Sequence, residues 1–195
     1  MIFNRLHLAG AYIIDPDKFA DERGFFARMF NREEFESAGL EGNVMQVNNS
    51  LSKKKGTLRG IHYQLPPRAE TKLIRCVRGS IWDVVVDLRP NSETFCHWYG
   101  EELTAENRRM MYVPKGFGHA FLTLEDDAEV VYLVSENYSP EHERIARWDD
   151  PKFGIKWLIE PTVQSDKDAN APLFSMKHHL NIDDNGIDTK LRSQI

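Results

Sequence analysis

Two histidines, each set among glycines with basic residues nearby, are the side chains best placed for chemistry in this chain. His62 lies in Gly56-Thr57-Leu58-Arg59-Gly60-Ile61-His62-Tyr63-Gln64, three residues after Arg59 and two after Gly60. His119 closes the stretch Pro114-Lys115-Gly116-Phe117-Gly118-His119. Histidine titrates nearest neutral pH, which makes it the default general base. A base beside fixed cations points to proton abstraction from an anionic substrate.

Strand patterns dominate the elements that must hold these residues. Ile81 to Leu88 alternates, with Asp83, Val85 and Asp87 on one face and Trp82, Val84, Val86 and Leu88 on the other. Leu73 to Val77, Met110 to Val113, Ala120 to Leu124 and Glu129 to Ser135 read as further strands. Arg78-Gly79-Ser80 is a tight connection between two strands, and Arg89-Pro90-Asn91-Ser92 is a turn. The clearest helix is short. Asn31 caps Arg32 to Ala38, Glu34 stands where a capping-box acid belongs, and Gly39 ends it. Short strands between Gly, Pro, Asn and Asp turns predict an all-β sandwich or barrel with a few short helices.

The chain has 195 residues, 41% of them hydrophobic and 28% charged, which suits one globular domain with a full core. That domain is expected over residues 1–174. Residues 175–195 are polar and aperiodic, and are expected to form a surface tail, a disordered tail, or a segment packed on a partner. A net charge of -5 argues against a nucleic-acid binder. No apolar run reaches membrane-spanning length, and the N-terminus lacks a signal-peptide core. The two cysteines, Cys76 and Cys96, do not make a disulfide framework, so a cytoplasmic location is expected.

Cupin jelly rolls carry a first motif G-x5-H-x-H followed by Glu and Gly, and a second motif containing P-x-G-x-x-H. Gly56, His62, Glu70 and Gly79 follow the first loosely, with Gln64 in place of its second histidine. Pro114, Gly116 and His119 match the second. A transition-metal site needs three or four convergent ligands, so losing one imidazole points to a barrel with no metal and no cofactor. From about Phe19 to Pro172 the chain resembles the dTDP-4-dehydrorhamnose 3,5-epimerase family. The resemblance runs through Asp21 to Phe26, Gln46-Val47-Asn48, Gly56 to Gln64, and Lys72 to Arg75. It continues through Asp83 to Arg89, Val113 to His119, Tyr132, Tyr138 to Glu143, and Ser165 to Asp168. It implies a cupin-type double-stranded β-helix (jelly roll), a homodimer, and a nucleotide-diphosphate 4-keto-6-deoxy sugar as substrate.

The resemblance also assigns roles. A proton beside a ketone is weakly acidic, so its removal needs a positioned base and a group that stabilises the enolate oxygen. His62 takes the place of the base, Asp168 that of its carboxylate partner, and Lys72 that of the cation facing the enolate. Tyr132 matches the family's proton donor. Arg23 and Arg59 match nucleotide-sugar contacts, as their guanidinium forks suit phosphate oxygens. Gln46, Asn48, His119, Glu143 and Lys167 match further binding positions. Phe19 or Tyr138 is a candidate to stack on the base or line the sugar pocket. Arg28 stands where many members have Glu, and Val47 where many have Asp or Glu, which bears on the nucleotide and sugar selected.

Taken singly, His62 reads as a hydrogen-bonded barrel histidine and Tyr132 as a core aromatic. Only the joint pattern gives them chemistry. Two other functions fit such a barrel: a metal-dependent cupin enzyme, and a non-catalytic nucleotide-sugar-binding module. Stoichiometric metal lost together with activity would mark the first. A tight ligand with no solvent exchange into it would mark the second.

Overall fold

Period-two alternation sorts most of the chain into strands that bury one face each, and the fold follows from where those faces meet. The computed structural model describes residues 1–182. In chain order its strands are β1 (Ile2–Arg5), β2 (Tyr12–Asp15), β3 (Lys18–Asp21), β4 (Gly24–Ala27), β5 (Gln46–Ser52) and β6 (Leu58–Gln64). They continue as β7 (Lys72–Arg78), β8 (Ser80–Asp87), β9 (Trp98–Thr104), β10 (Met110–Val113), β11 (Phe117–Thr123), β12 (Ala128–Val134) and β13 (Glu143–Ile145). The helices α1 (Arg32–Ser37), α2 (Asp166–Ala169) and α3 (Met176–Leu180) are short.

Two antiparallel sheets form a jelly-roll sandwich of the cupin type. One has the order β1-β2-β10-β7-β12-β5 and the other β13-β6-β11-β8-β9. Between them lie Ile74, Cys76, Ile81, Val85, Met111, Phe117, Phe121 and Val130. Each large apolar side chain buried in this way contributes about 1.5–3 kcal/mol. The outer face of the first sheet packs Tyr12, Ile14 and Tyr112 against Phe35 of α1. The outer face of the second packs Trp82, Val84 and Val86 under Phe153, Trp157 and Phe174. Both faces of β8 are therefore covered, as its alternation requires.

The connection Arg78-Gly79-Ser80 is not a hairpin within one sheet. Gly79, at φ +70°, turns the chain from β7 in the first sheet to β8 in the second. At the far end of β8, buried Asp87 accepts from Arg89 Nε at 2.8 Å, Ser92 Oγ at 2.5 Å and Thr94 Oγ1 at 2.7 Å. It anchors the predicted turn and takes no part in a pocket. Asn31 caps α1 by accepting from the Glu34 amide at 3.0 Å, a contact worth about 1 kcal/mol. Glu34 does not close a capping box: it pairs instead with Arg28 at 2.5 Å and with the N-terminal amine at 3.3 Å.

The C-terminal boundary differs from expectation. Residues 175–182 are not a loose tail. Ser175 caps α3, and His179 is fully buried against Phe174 and Tyr63. His179 Nε2–H donates to Ile145 O at 3.2 Å, and Nδ1 accepts from Ser175 N–H at 3.0 Å. Two consecutive polar histidines hid this contact, because their burial rests on backbone partners that sequence does not display. The remainder of the expected tail, residues 183–195, lies outside the described residues.

One irregularity decides which β6 side chains face inward. The pairing of β11 with β6 shifts register between His119 and Phe121, opposite Gly60. Strict alternation would put Arg59 and His62, three residues apart, on opposite faces. The shift turns both inward while Ile61 and Tyr63 pack outward. Gly60 has φ +119°, and a Cβ there would lie 2.6 Å from both His119 O and the Ala120 Cβ. Gly60→Ala is expected to destabilise the fold by about 3 kcal/mol or more, read as a lowered urea midpoint.

Candidate active site

The inward faces of the two sheets leave two adjoining cavities of about 250 and 240 Å³. His62, Lys72 and Tyr132 border both. The first is completed by Gln46, Asn48, Gln64, Glu70, Tyr138 and Glu143 among others. The second is completed by Ser50, Arg59, His119, Phe121 and Val130. Alternation along edge strand β5 explains Gln46, Asn48 and Ser50: every second residue points in. Lys72 and Tyr132 come from the same sheet, on β7 and β12. His62 and His119 come from the opposite one, on β6 and β11.

His62 Nε2–H donates to Asp168 Oδ1 at 2.6 Å. Asp168 lies on α2, which Ser165 caps by accepting from the Asp168 amide at 3.1 Å. The same Ser165 hydroxyl donates to Asp168 Oδ2 at 2.7 Å, so both carboxylate oxygens are held. Burial pushes the Asp168 carboxyl up, but the His62, Ser165 and Gly60 hydrogen bonds outweigh it and leave it below its ordinary value. The carboxylate stays ionised and fixes the imidazole with Nε2 protonated. That leaves Nδ1 as the ring position able to take a proton.

A second His–Asp pair lies beside the first, His119 being the cross-strand neighbour of His62. His119 Nε2–H donates to Asp83 Oδ1 at 2.8 Å. Asp83 is fully buried, and its Oδ2 has no partner among the described residues. Burial raises the Asp83 carboxyl from its ordinary value, while His119 and Lys72 oppose the rise. The β8 alternation put Asp83 and Val85 on one face without showing that it is the inward one, and the partner of Asp83 on β11 was not readable from spacing. Burial likewise pushes the Tyr132 phenol up, the Glu70 carboxylate adds to the rise, and Arg59 opposes it.

At the mouth, Glu143 accepts from Tyr138 Oη at 2.9 Å and from Lys167 Nζ. Burial raises the Glu143 carboxyl, but Lys167 and Tyr138 bring it below its ordinary value. Arg59 donates from Nε to Ser52 Oγ at 3.2 Å. Each of the four positions of the cupin motif residues is engaged within the chain. His62 pairs with Asp168 and His119 with Asp83, Glu70 lies 3.2 Å from Lys72, and Gln64 bonds backbone. Among the described residues no group of three or more His, Cys, Asp or Glu side chains is arranged to hold a metal ion.

Of the residues singled out by sequence, the structure gathers His62, Lys72, Tyr132, Gln46, Asn48, Arg59, His119 and Glu143 around the cavities, with Asp168 behind His62 and Lys167 at the rim. Arg23 is not gathered. It sits at the tip of the β3–β4 hairpin, 85% exposed, and pairs with Asp21 at 2.5 Å. Phe19, on the same hairpin, is also outside, while Tyr138 lines the cavity. Val47 points away from the cavity between Gln46 and Asn48, and Arg28 is outside it. Neither departure touches these two cavities. Sequence reasoning passed over Ser165 and left Asp83 and Glu70 without roles.

A family profile described as dTDP-4-dehydrorhamnose 3,5-epimerase matches residues 5–176. A dTDP-4-dehydrorhamnose 3,5-epimerase from Shigella flexneri is 47% identical over 163 residues, covering 83% of this chain and 90% of that protein. The crystal structure of an enzyme of the same description from Elizabethkingia anophelis superposes with TM-score 0.86 at 43% identity, covering 89% of this chain and 96% of the other. A 3′-monoepimerase from Streptomyces bikiniensis, solved with dTDP-quinovose, superposes with TM-score 0.83 at 41% identity, covering 91% and 90%. On the profile match over residues 5–176 and these relatives, the chain belongs to the dTDP-4-dehydrorhamnose 3,5-epimerase family.

Proposed function

We propose that this chain inverts C3, C5 or both of a dTDP-linked 4-keto-6-deoxy sugar, in deoxysugar biosynthesis. The observation that carries the reading is the His62–Asp168 bond of 2.6 Å on one side of cavities whose other side presents Tyr132 and Lys72. His62 Nδ1 takes the proton beside the ketone. The imidazolium that forms is stabilised by Asp168, and the Lys72 ammonium faces the enolate oxygen. Inversion requires the new proton to arrive from the opposite face, and Tyr132 stands on the opposite sheet from His62. Arg59 and His119 flank the second cavity, where diphosphate oxygens find a guanidinium and an imidazole. Gln46, Asn48, Glu143 and Lys167 contact the remainder of the substrate.

The chain acts as a homodimer in this reading. The β3–β4 hairpin is exposed over nearly its whole length, with Phe19 70% and Phe26 66% exposed. Edge strand β5 presents Val47 and Leu51 outward beside exposed Met45. Exposed apolar clusters of this kind mark interaction surfaces. A second copy of the chain covering them would let Arg23 serve the partner's cavity, which reconciles its nucleotide-sugar role with its distance from its own. Free Cys76 and Cys96 fit a cytoplasmic location, and no described helix is long and apolar enough to cross a membrane.

In heavy water, dTDP-4-keto-6-deoxyglucose acquires deuterium at C3, C5 or both, read by proton NMR. His62→Asn slows this by about 10³-fold, while Tyr132→Phe leaves exchange at the first carbon and loses inverted product. A wild-type chain that exchanges none of a panel of such sugars would sink the reading. Tyr132 donates only while protonated and its phenol is raised, so the alkaline limb of kcat is expected above the ordinary phenol value of about 10. Light scattering is expected to give a dimer. Mixing inactive Arg23→Ala and His62→Asn chains is expected to restore activity through hybrid dimers, and no restoration would mean that Arg23 does not serve in trans.

A further inference from the structure

Gln64 borders the first cavity two residues beyond His62, yet none of the chemistry above uses it. Its residue is 5% exposed. Nε2 donates to Arg68 O at 2.9 Å, to Asn137 O at 3.2 Å and to Glu70 Oε2 at 3.3 Å. Oε1 accepts from Ser139 N–H at 2.6 Å. A primary amide offers two N–H donors and a carbonyl oxygen, so both N–H groups are committed among the three acceptors and the oxygen is held by Ser139.

Those partners lie on two different segments. Residues 65–71 join β6 to β7 and carry Glu70, whose Oε1 is 3.2 Å from Lys72 Nζ, the two side chains being 12% and 11% exposed. Residues 135–142 join β12 to β13 and carry Tyr138, which lines the cavity and donates to Glu143. The segment holding Tyr138 is tied to Gln64 on both sides of the tyrosine, through Asn137 O and Ser139 N–H.

We propose that Gln64 is a positioning residue of the epimerase: its amide clamps the Tyr138 segment and the Glu70 segment together and so sets the mouth of the substrate cavity. The proposal rests on the epimerase reading above. It also accounts for the departure from the cupin first motif. A neutral imidazole donates once and accepts once, and cannot replace a group that donates twice and accepts once. Position 64 has exchanged a metal-type donor for a backbone clamp.

The test is Gln64→Met, which keeps side-chain length and removes all four bonds. Hydrogen exchange read by mass spectrometry is expected to quicken in peptides spanning 65–71 and 135–142, while β6, β8 and β11 keep their protection. KM for the sugar nucleotide is expected to rise about tenfold, the scale on which a misplaced contact is felt, with a smaller fall in kcat. In a Tyr138→Ala background most of that KM rise disappears, because the residue being positioned is gone. Gln64→Glu, which keeps the acceptor for Ser139 and loses the donors, serves if the Met variant does not fold. It is expected to release residues 65–71 and to raise KM. Unchanged exchange in both segments would overturn the proposal, as would a KM rise undiminished without Tyr138. Failure of the wild-type chain to epimerise any sugar nucleotide would strike the functional reading instead, and the exchange measurement would still decide the role of Gln64.

Discussion

Inverting a carbon requires a base and an acid on opposite faces of the same ring, and in the proposed reading that requirement is met by the separation of two packed sheets. Inner faces stacked about 10 Å apart leave room for one sugar ring between side chains rooted in each. His62 comes from the β6 side and Tyr132 from the β12 side, and neither needs a loop to reach the cavity. Rigid strands thus fix the stereochemical geometry, while the segments at the mouth deal with recognition. The same separation is maintained elsewhere by the inter-sheet core around Val85, Phe121 and Val130.

Charge in the cavity is arranged in couples. Asp168 serves His62, Asp83 serves His119 and Glu70 serves Lys72, each partner at 3.2 Å or less. Isolated charges would be costly in so enclosed a place, and pairing keeps them at hand. Asp83 Oδ2 stands out as the buried oxygen without a partner on that wall.

Much of this was legible in the residues. Strands such as β10 were readable to the residue, because alternation and flanking turns leave little freedom. The two faces of β8 followed from period two, while the packing shows that the Asp83 and Val85 face is inward and the Trp82 face outward. Three things were not legible, each for a physical reason. The register shift opposite Gly60 breaks the alternation that would put Arg59 on the face away from His62. The burial of His179 depends on the carbonyl of Ile145, far along the chain. The place of Arg23, outside its own cavity, depends on a hairpin that leaves the sandwich, and hydropathy alone does not tell an exposed phenylalanine from a buried one. The motif match supplied the roles, and the sheet topology supplied the reason these roles can be exercised together.

The carboxylate that orients the base is contributed by α2, 106 residues after His62 and beyond every strand of the sandwich. A growing chain long enough to pair β6 with β11, and to set Tyr132 in β12, still has an imidazole with nothing to fix its tautomer. In the proposed reading, the imidazole is therefore oriented only once the chain extends as far as Asp168.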